Sequence, residues 1–118
     1  MRSNRPHYKL DAWKEAMALV SAVYRATQGF PREEIYGLSS QLRRSAVSIP
    51  SNIAEGAARQ GPKEFGQFLS VAMGSTGELE TQLLIAVDLG YLPENAPAFD
   101  LVERVSKLVY GLQRRIRS

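Results

Sequence analysis

The stretch Gln41–Lys63, QLRRSAVSIPSNIAEGAARQGPK, keeps a helical apolar period straight across Pro50. Leu42, Ala46, Ile49, Ile53 and Ala57 fall in one narrow arc at about 100° per residue, and the arc extends back through Leu38 to Ile35. A stripe that survives a proline predicts one kinked helix rather than two separate ones. Proline removes a backbone donor and frees a carbonyl one turn earlier, and Ser48 is expected to bond that carbonyl. The face opposite the stripe carries Arg44, Ser48, Asn52, Glu55 and Arg59, a mixed polar row that looks specified rather than generically solvated.

Working outward, the same spacing rules predict three more helices. Pro31 suits the opening of this second helix, with Glu33 and Glu34 placed where the helix dipole is positive, and the helix is expected to run to about Arg59. Upstream, a first helix begins after Asp11 as N-cap, with Ala12, Ala16, Leu19 and Val23 on one face and Trp13, Met17, Val20 and Tyr24 beside them. It ends near Gln28 and Gly29. Downstream, Gly61 and Pro62 turn the chain into a third helix from about Lys63 to Leu89, with Phe65, Leu69, Ala72, Thr76, Leu79, Leu83 and Ala86 in one arc, and Gly90 stops it. A fourth starts near Pro97 and turns Leu101, Val105, Leu108, Leu112 and Ile116 inward, with Val102 and Val109 adjacent.

No alternating stretch competes as a strand, and no internal repeat is present. Short connections make consecutive helices antiparallel neighbours, so the expected fold is all-α: an antiparallel up-down-up-down four-helix bundle with helix two kinked at its proline. Residues 1–10 read as an N-terminal tail and residues 11–118 as a single bundle domain. A chain of 118 residues is large enough to bury well over half of its unfolded surface.

Composition narrows the function classes. Cysteine is absent, which excludes disulfides, thiolate metal sites and cysteine nucleophiles and suits a reducing compartment. The opening MRSNRPHYKLDAWK lacks an apolar core segment, and nothing approaches the roughly 20 apolar residues that span a bilayer, so a cytoplasmic protein without membrane contact is expected. A di-iron type bundle centre needs histidines on facing helices, whereas the single histidine, His7, precedes the first helix and reads as an exposed tail residue. Neither a metal nor any other cofactor is implied.

Catalytic constellations are equally thin. Ser39, Ser40, Ser45, Ser48 and Ser51 offer hydroxyls, but no helical histidine or lysine of helix two stands by to activate them, and helix packing is the expected role. Glu78 and Glu80 lie about 160° apart around a helix and form no carboxylate dyad. Gly74, Ser75, Thr76 and Gly77 interrupt a long helix at a cost of roughly 1 kcal/mol per glycine, which predicts close approach of another backbone, such as helix two around Ala54, Gly56, Ala57 and Ala58. Neither glycine cluster has the strand-to-helix context or the lysine of a nucleotide-binding loop. No catalytic residue is assigned.

Two surfaces remain. The first comprises the polar stripe of helix two, with Arg44, Asn52, Glu55 and Arg59, and an arc of helix three displaced from its core stripe, Val71, Ser75, Glu78, Gln82 and Ile85. Buried charges require partners, so a subunit interface is expected in which Arg44 or Arg59 pairs with Glu55 or Glu78. On the second, the basic side of the chain is dominated by arginine, eleven Arg against four Lys at a net charge of +3. Arg104, Lys107, Arg114, Arg115 and Arg117 make helix four a basic element, facing only Glu103 after Val102. Arginine favours bidentate contacts to phosphate, and these five residues are the candidate nucleic-acid contacts.

The motifs together resemble a known family. Trp13, Phe30-Pro31 with Glu34, Tyr36-Gly37-Leu38, Gln41-Leu42-Arg43-Arg44, Ser48-Ile49-Pro50-Ser51-Asn52-Ile53-Ala54-Glu55-Gly56 and Gly74-Ser75 with Glu78-Leu79-Glu80-Thr81 are similar to the bacterial four-helix bundle proteins encoded in intervening sequences of 23S ribosomal RNA genes. The resemblance spans nearly the whole chain. It implies a homopentameric ring, similar to the accessory protein of diversity-generating retroelements, which binds nucleic acid and a reverse transcriptase. The expected function is therefore a non-enzymatic oligomeric scaffold that contacts RNA or DNA phosphates through helix four, with a protein partner of the reverse-transcriptase kind also implied. The alternative is a protein-protein interaction module whose basic surface serves an acidic partner or solubility.

Overall fold

Glycine and proline interrupt the chain at each of the three connections, and the helices they separate pack side by side. The computed structural model describes residues 4–117; the outermost residues of the expected tail and bundle, 1–3 and 118, lie outside them. The four helices are α1 (Asp11–Thr27), α2 (Leu38–Ala57), α3 (Pro62–Asp88) and α4 (Pro97–Arg117), with 3-10 turns at Pro6–Lys9 and Arg32–Glu34. Among the described residues there is no strand. Helix α2 packs on α1 and α3, and α4 packs on α3 and α1, closing a four-membered ring. Contacts run in opposite directions along α2–α3 and α3–α4: Ser45 meets Gln82 while Ser48 meets Ser75, and Met73 meets Ser106 while Ser70 meets Gln113. The chain is an all-α antiparallel four-helix bundle.

The core follows the expected stripes with informative exceptions. Leu19 and Val23 of α1, Leu42, Ile49 and Ile53 of α2, and Leu69, Leu79 and Leu83 of α3 are fully buried. Each such aliphatic side chain contributes about 1.5–3 kcal/mol over an exposed one. In α1, Trp13 and Val20 pack against this core while Met17 and Tyr24 point outward. In α4 the centre of the buried arc is Val102, Val105 and Val109; Leu101, Leu108 and Ile116 sit on its flanks, half-buried. The apolar arc of α4 is wider than its buried core.

Helix α2 starts later than its sequence suggests. Pro31 opens only a 3-10 turn, Gly37 breaks the chain direction at φ −112° and ψ −115°, and the α-helix begins at Leu38. Ile35 therefore leaves the core stripe and is 52% exposed. Glu34 acts across this break instead: its Oε1 accepts the Leu38 N–H at 3.0 Å, and a Cβ at Gly37 would lie 2.7 Å from that oxygen. Asp11 is likewise the first residue of α1 rather than its cap, which is Leu10. Helix α2 continues through Pro50 as a single element.

Three local expectations are corrected. Ser48 does not turn back to a carbonyl of its own helix; its hydroxyl pairs with Ser75 on α3 at 2.9 Å, because the neighbouring helix presents a hydroxyl at that level. The close backbone approach falls at Gly56, not at Gly74 and Gly77. A Cβ at Gly56 would sit 2.8 Å from both Phe65 Cδ1 and Phe68 Cβ, whereas one at Gly74 or Gly77 would meet nothing within 4 Å. His7 is half-buried in an aromatic cluster, with ring centroids 4.6 Å from Tyr8 and 4.9 Å from Trp13, since the Pro6–Lys9 turn folds back on α1 and α2.

Helix α3 ends as expected at Gly90. Its φ of 81° allows Tyr91 N–H to reach Ala86 O at 2.8 Å and Gly90 N–H to reach Val87 O at 2.9 Å, the paired bonds of a Schellman cap. Tyr91 then lies against Phe30, 5.3 Å between ring centroids. That contact ties the α3–α4 connection to the α1–α2 connection.

Candidate nucleic-acid and subunit interfaces

Burial of Val105, Val109 and Leu112 fixes the rotation of α4 and turns Lys107, Gly111 and Arg114 to the opposite, exposed side. Arg104 Nε lies 3.1 Å from Glu15 Oε1 on α1, and Lys107 Nζ lies 3.4 Å from Glu103 Oε1 one turn earlier. Exposed pairs of this kind hold by only about 0–1 kcal/mol, so both cations can exchange a carboxylate for a phosphate. Farther along, the Arg114 guanidinium is 5.9 Å from the Tyr110 ring centroid, and Arg117 Nε donates to Gln113 O at 3.5 Å. No acidic residue follows Glu103 in the chain. The five sequence-assigned cations thus share the exposed side of one helix, and the acidic neighbours are confined to its first half.

Two clefts flank the C-terminal half of α4. On the α1 side, a cleft of about 360 Å³ is lined by Lys9, Lys107 and Arg115 together with Asp11. On the α3 side, a cleft of about 420 Å³ is lined by Lys63, Gln67, Gln113 and Arg117. Sequence reasoning missed Lys9 and Lys63. The signal was present in the antiparallel order, which brings the start of α1 and the start of α3 beside the end of α4.

The polar row of α2 divides into two groups. Asn52 Nδ2 donates to Ser48 O at 2.8 Å and to Ser48 Oγ at 3.1 Å, and the Arg59–Glu55 ion pair closes at 2.8 Å within the helix. The Arg59 guanidinium also lies 4.9 Å from the Phe68 ring centroid. Arg59 and Glu55 thus satisfy each other within their own helix. Arg44 and Glu78 instead line one cleft of about 530 Å³ with Gln41, Ser45, Ser48 and Gln82, and neither is in an ion pair among the described residues.

The floor of that cleft is a buried polar seam between α2 and α3. Ser45 Oγ is 2.8 Å from Gln82 Oε1 and 3.0 Å from Gln41 O, and Ser48 meets Ser75 one turn along. The seam spends these hydroxyls on helix pairing. On the other side of Arg44 lies an apolar groove of about 610 Å³, lined by Tyr24, Ile35, Tyr36 and Val47 with Arg43 and Ser40. Tyr36 is 96% exposed there. Arg43 is held in place by a 2.8 Å bond to Thr27 Oγ1 and by stacking 4.5 Å from the Tyr24 ring centroid.

Among the described residues no cluster of three or more His, Cys, Asp or Glu side chains could hold a metal ion, and no helix is long and apolar enough to cross a membrane. The fold and its surfaces define a small all-α bundle protein with a basic helix on one side and a mixed apolar and polar face on another. The chain belongs to the 23S rRNA-intervening sequence protein family, whose model matches residues 8–111. No curated protein matches it. The matched span includes Arg104 and Lys107 as well as Lys9 and Lys63, while Arg114, Arg115 and Arg117 lie beyond it.

Proposed function

We propose that this chain is a non-enzymatic scaffold of the cytoplasm that assembles into a homo-oligomer, a pentameric ring, and holds nucleic acid by its phosphates. The observation that carries the nucleic-acid reading is the acid-free, exposed C-terminal half of α4 with its cationic cleft on each side. A ring repeats this patch around its axis, so individually weak phosphate contacts act together. Arg44 and Glu78, both exposed on one cleft between α2 and α3, are the charges on which subunit contact rests, while Ser45 and Ser48 of α2 are engaged in helix packing.

Neutralising Arg104, Lys107, Arg114 and Arg115 to Gln tests the reading. Wild-type chain is expected to retard both a DNA duplex and an RNA hairpin at low salt, and the variant to lose that binding while its helical content and solution mass stay unchanged. Retention of full affinity by the variant contradicts it. A second reading, a protein-interaction module, is favoured by the 96% exposure of Tyr36 on its apolar groove. A reverse transcriptase is one protein partner in keeping with that reading. Co-purification of protein without nucleic acid, abolished by Tyr36→Ala, would support it over the first.

A further inference from the structure

Helix α4 stands between its two clefts as a ridge. Tyr110 and Arg114 lie on the exposed crest; Lys9, Lys107 and Arg115 border one side and Lys63 and Arg117 the other. An α-helix with its side chains is about 10–12 Å across, and the major groove of B-form DNA is about 12 Å wide. The major groove of an A-form RNA helix is too deep and narrow to admit side chains in this way. Cations on both flanks of one helix match a ligand that presents two phosphate strands, one on each side. A single strand would leave one cleft unused.

Resting on the nucleic-acid reading above, we propose that the C-terminal half of α4 lies in the major groove of a B-form DNA duplex, with the phosphates of one strand at the Lys9–Lys107–Arg115 cleft and those of the other at the Lys63–Arg117 cleft. Lys9 and Lys63 are the decisive residues. Both are exposed, and neither is in an ion pair among the described residues, so phosphate binding displaces no carboxylate from them. They come from different elements, the turn before α1 and the first turn of α3, and mark the two strands separately.

The test is the salt dependence of binding to a DNA duplex, an RNA duplex and a single strand of one sequence, for the wild-type chain and for Lys9→Gln/Lys63→Gln. The DNA duplex is expected to bind at least about tenfold more tightly than the other two. Removing both lysines should reduce the slope of log K against log salt by about two and weaken DNA binding roughly tenfold per lysine near 0.1 M salt. Arg25→Gln/Arg32→Gln removes the same charge at the opposite end of the bundle and should leave the slope unchanged. Equal or tighter binding of RNA duplex or single strand overturns the groove placement. An unaltered slope in the lysine variant, or an equal loss in the arginine variant, overturns the two clefts while leaving phosphate binding by α4 intact. Failure of the wild-type chain to bind any of the three defeats the parent reading instead. Thermal melting by circular dichroism confirms that the substituted surfaces leave the fold in place.

Discussion

The Tyr91 hydroxyl donates to Glu34 Oε2 at 3.0 Å, joining the α3–α4 connection to the turn that precedes α2. The other oxygen of the same carboxylate caps α2 through the Leu38 N–H. Glu34 therefore fixes both where α2 starts and which loop lies beside it. Glu34→Ala is expected to destabilise the chain by about 1 kcal/mol or somewhat more through loss of the cap, read from urea unfolding.

Alkaline pH tests the same contact from the other partner. The hydrogen bond to Glu34, desolvation, and the negative charges of Glu34 and Glu33 raise the Tyr91 pKa above its ordinary 10.0. The folded chain therefore holds the phenolic proton more tightly than the unfolded chain. That stabilisation is complete below pH 10 and is lost as pH rises through the raised value. Wild type should lose stability above about pH 10 more steeply than Tyr91→Phe, and parallel curves for the two would refute the contact.

The buried seam predicts strong coupling between Ser45 and Gln82. Ser45→Ala leaves a polar atom of the 7%-exposed Gln82 without its partner and should cost about 1–3 kcal/mol. Ser45→Ala/Gln82→Leu removes both halves and should recover most of that loss. Additive effects in the double-mutant cycle would show the bond to be energetically silent.

Glycines of similar appearance should respond in opposite directions. Gly56→Ala forces a Cβ against Phe65 and Phe68 and is expected to destabilise by about 1–3 kcal/mol. Gly74→Ala and Gly77→Ala place theirs in open space on α3 and should stabilise the folded chain by about 0.4–1 kcal/mol each. Chemical denaturation of the three variants separates these outcomes.

Charge reversal examines assembly. Arg44→Glu should lower the solution mass measured by light scattering, and Arg44→Glu/Glu78→Arg should restore it if these exposed residues meet across subunits. A mass unchanged in Arg44→Glu removes Arg44 from the interface.

Helix number, order and most of the core were legible because one-dimensional spacing carries them: the arcs of α1 and α3 and the stop at Gly90 agree with the observed packing. The start of α2 was not. Pro31, Glu33 and Glu34 satisfy the local rules for a helix opening, but the preference of Glu34 for Leu38 N–H and Tyr91 depends on a loop 57 residues away. Ser48 was misread for the same reason, since its partner Ser75 belongs to another helix. The basic face of α4 could be read from one helix alone, whereas Lys9 and Lys63 join it only when three elements are brought together.

Binding of the wild-type chain to a DNA duplex across a range of salt concentrations tests phosphate recognition by α4 most directly. Engagement of four or five cations per protomer predicts that log K falls against log salt with a slope of roughly −4 for each protomer in contact. Measurable affinity at low salt with that steep decline is the expected result. No binding at low salt, or an affinity indifferent to salt, would contradict it.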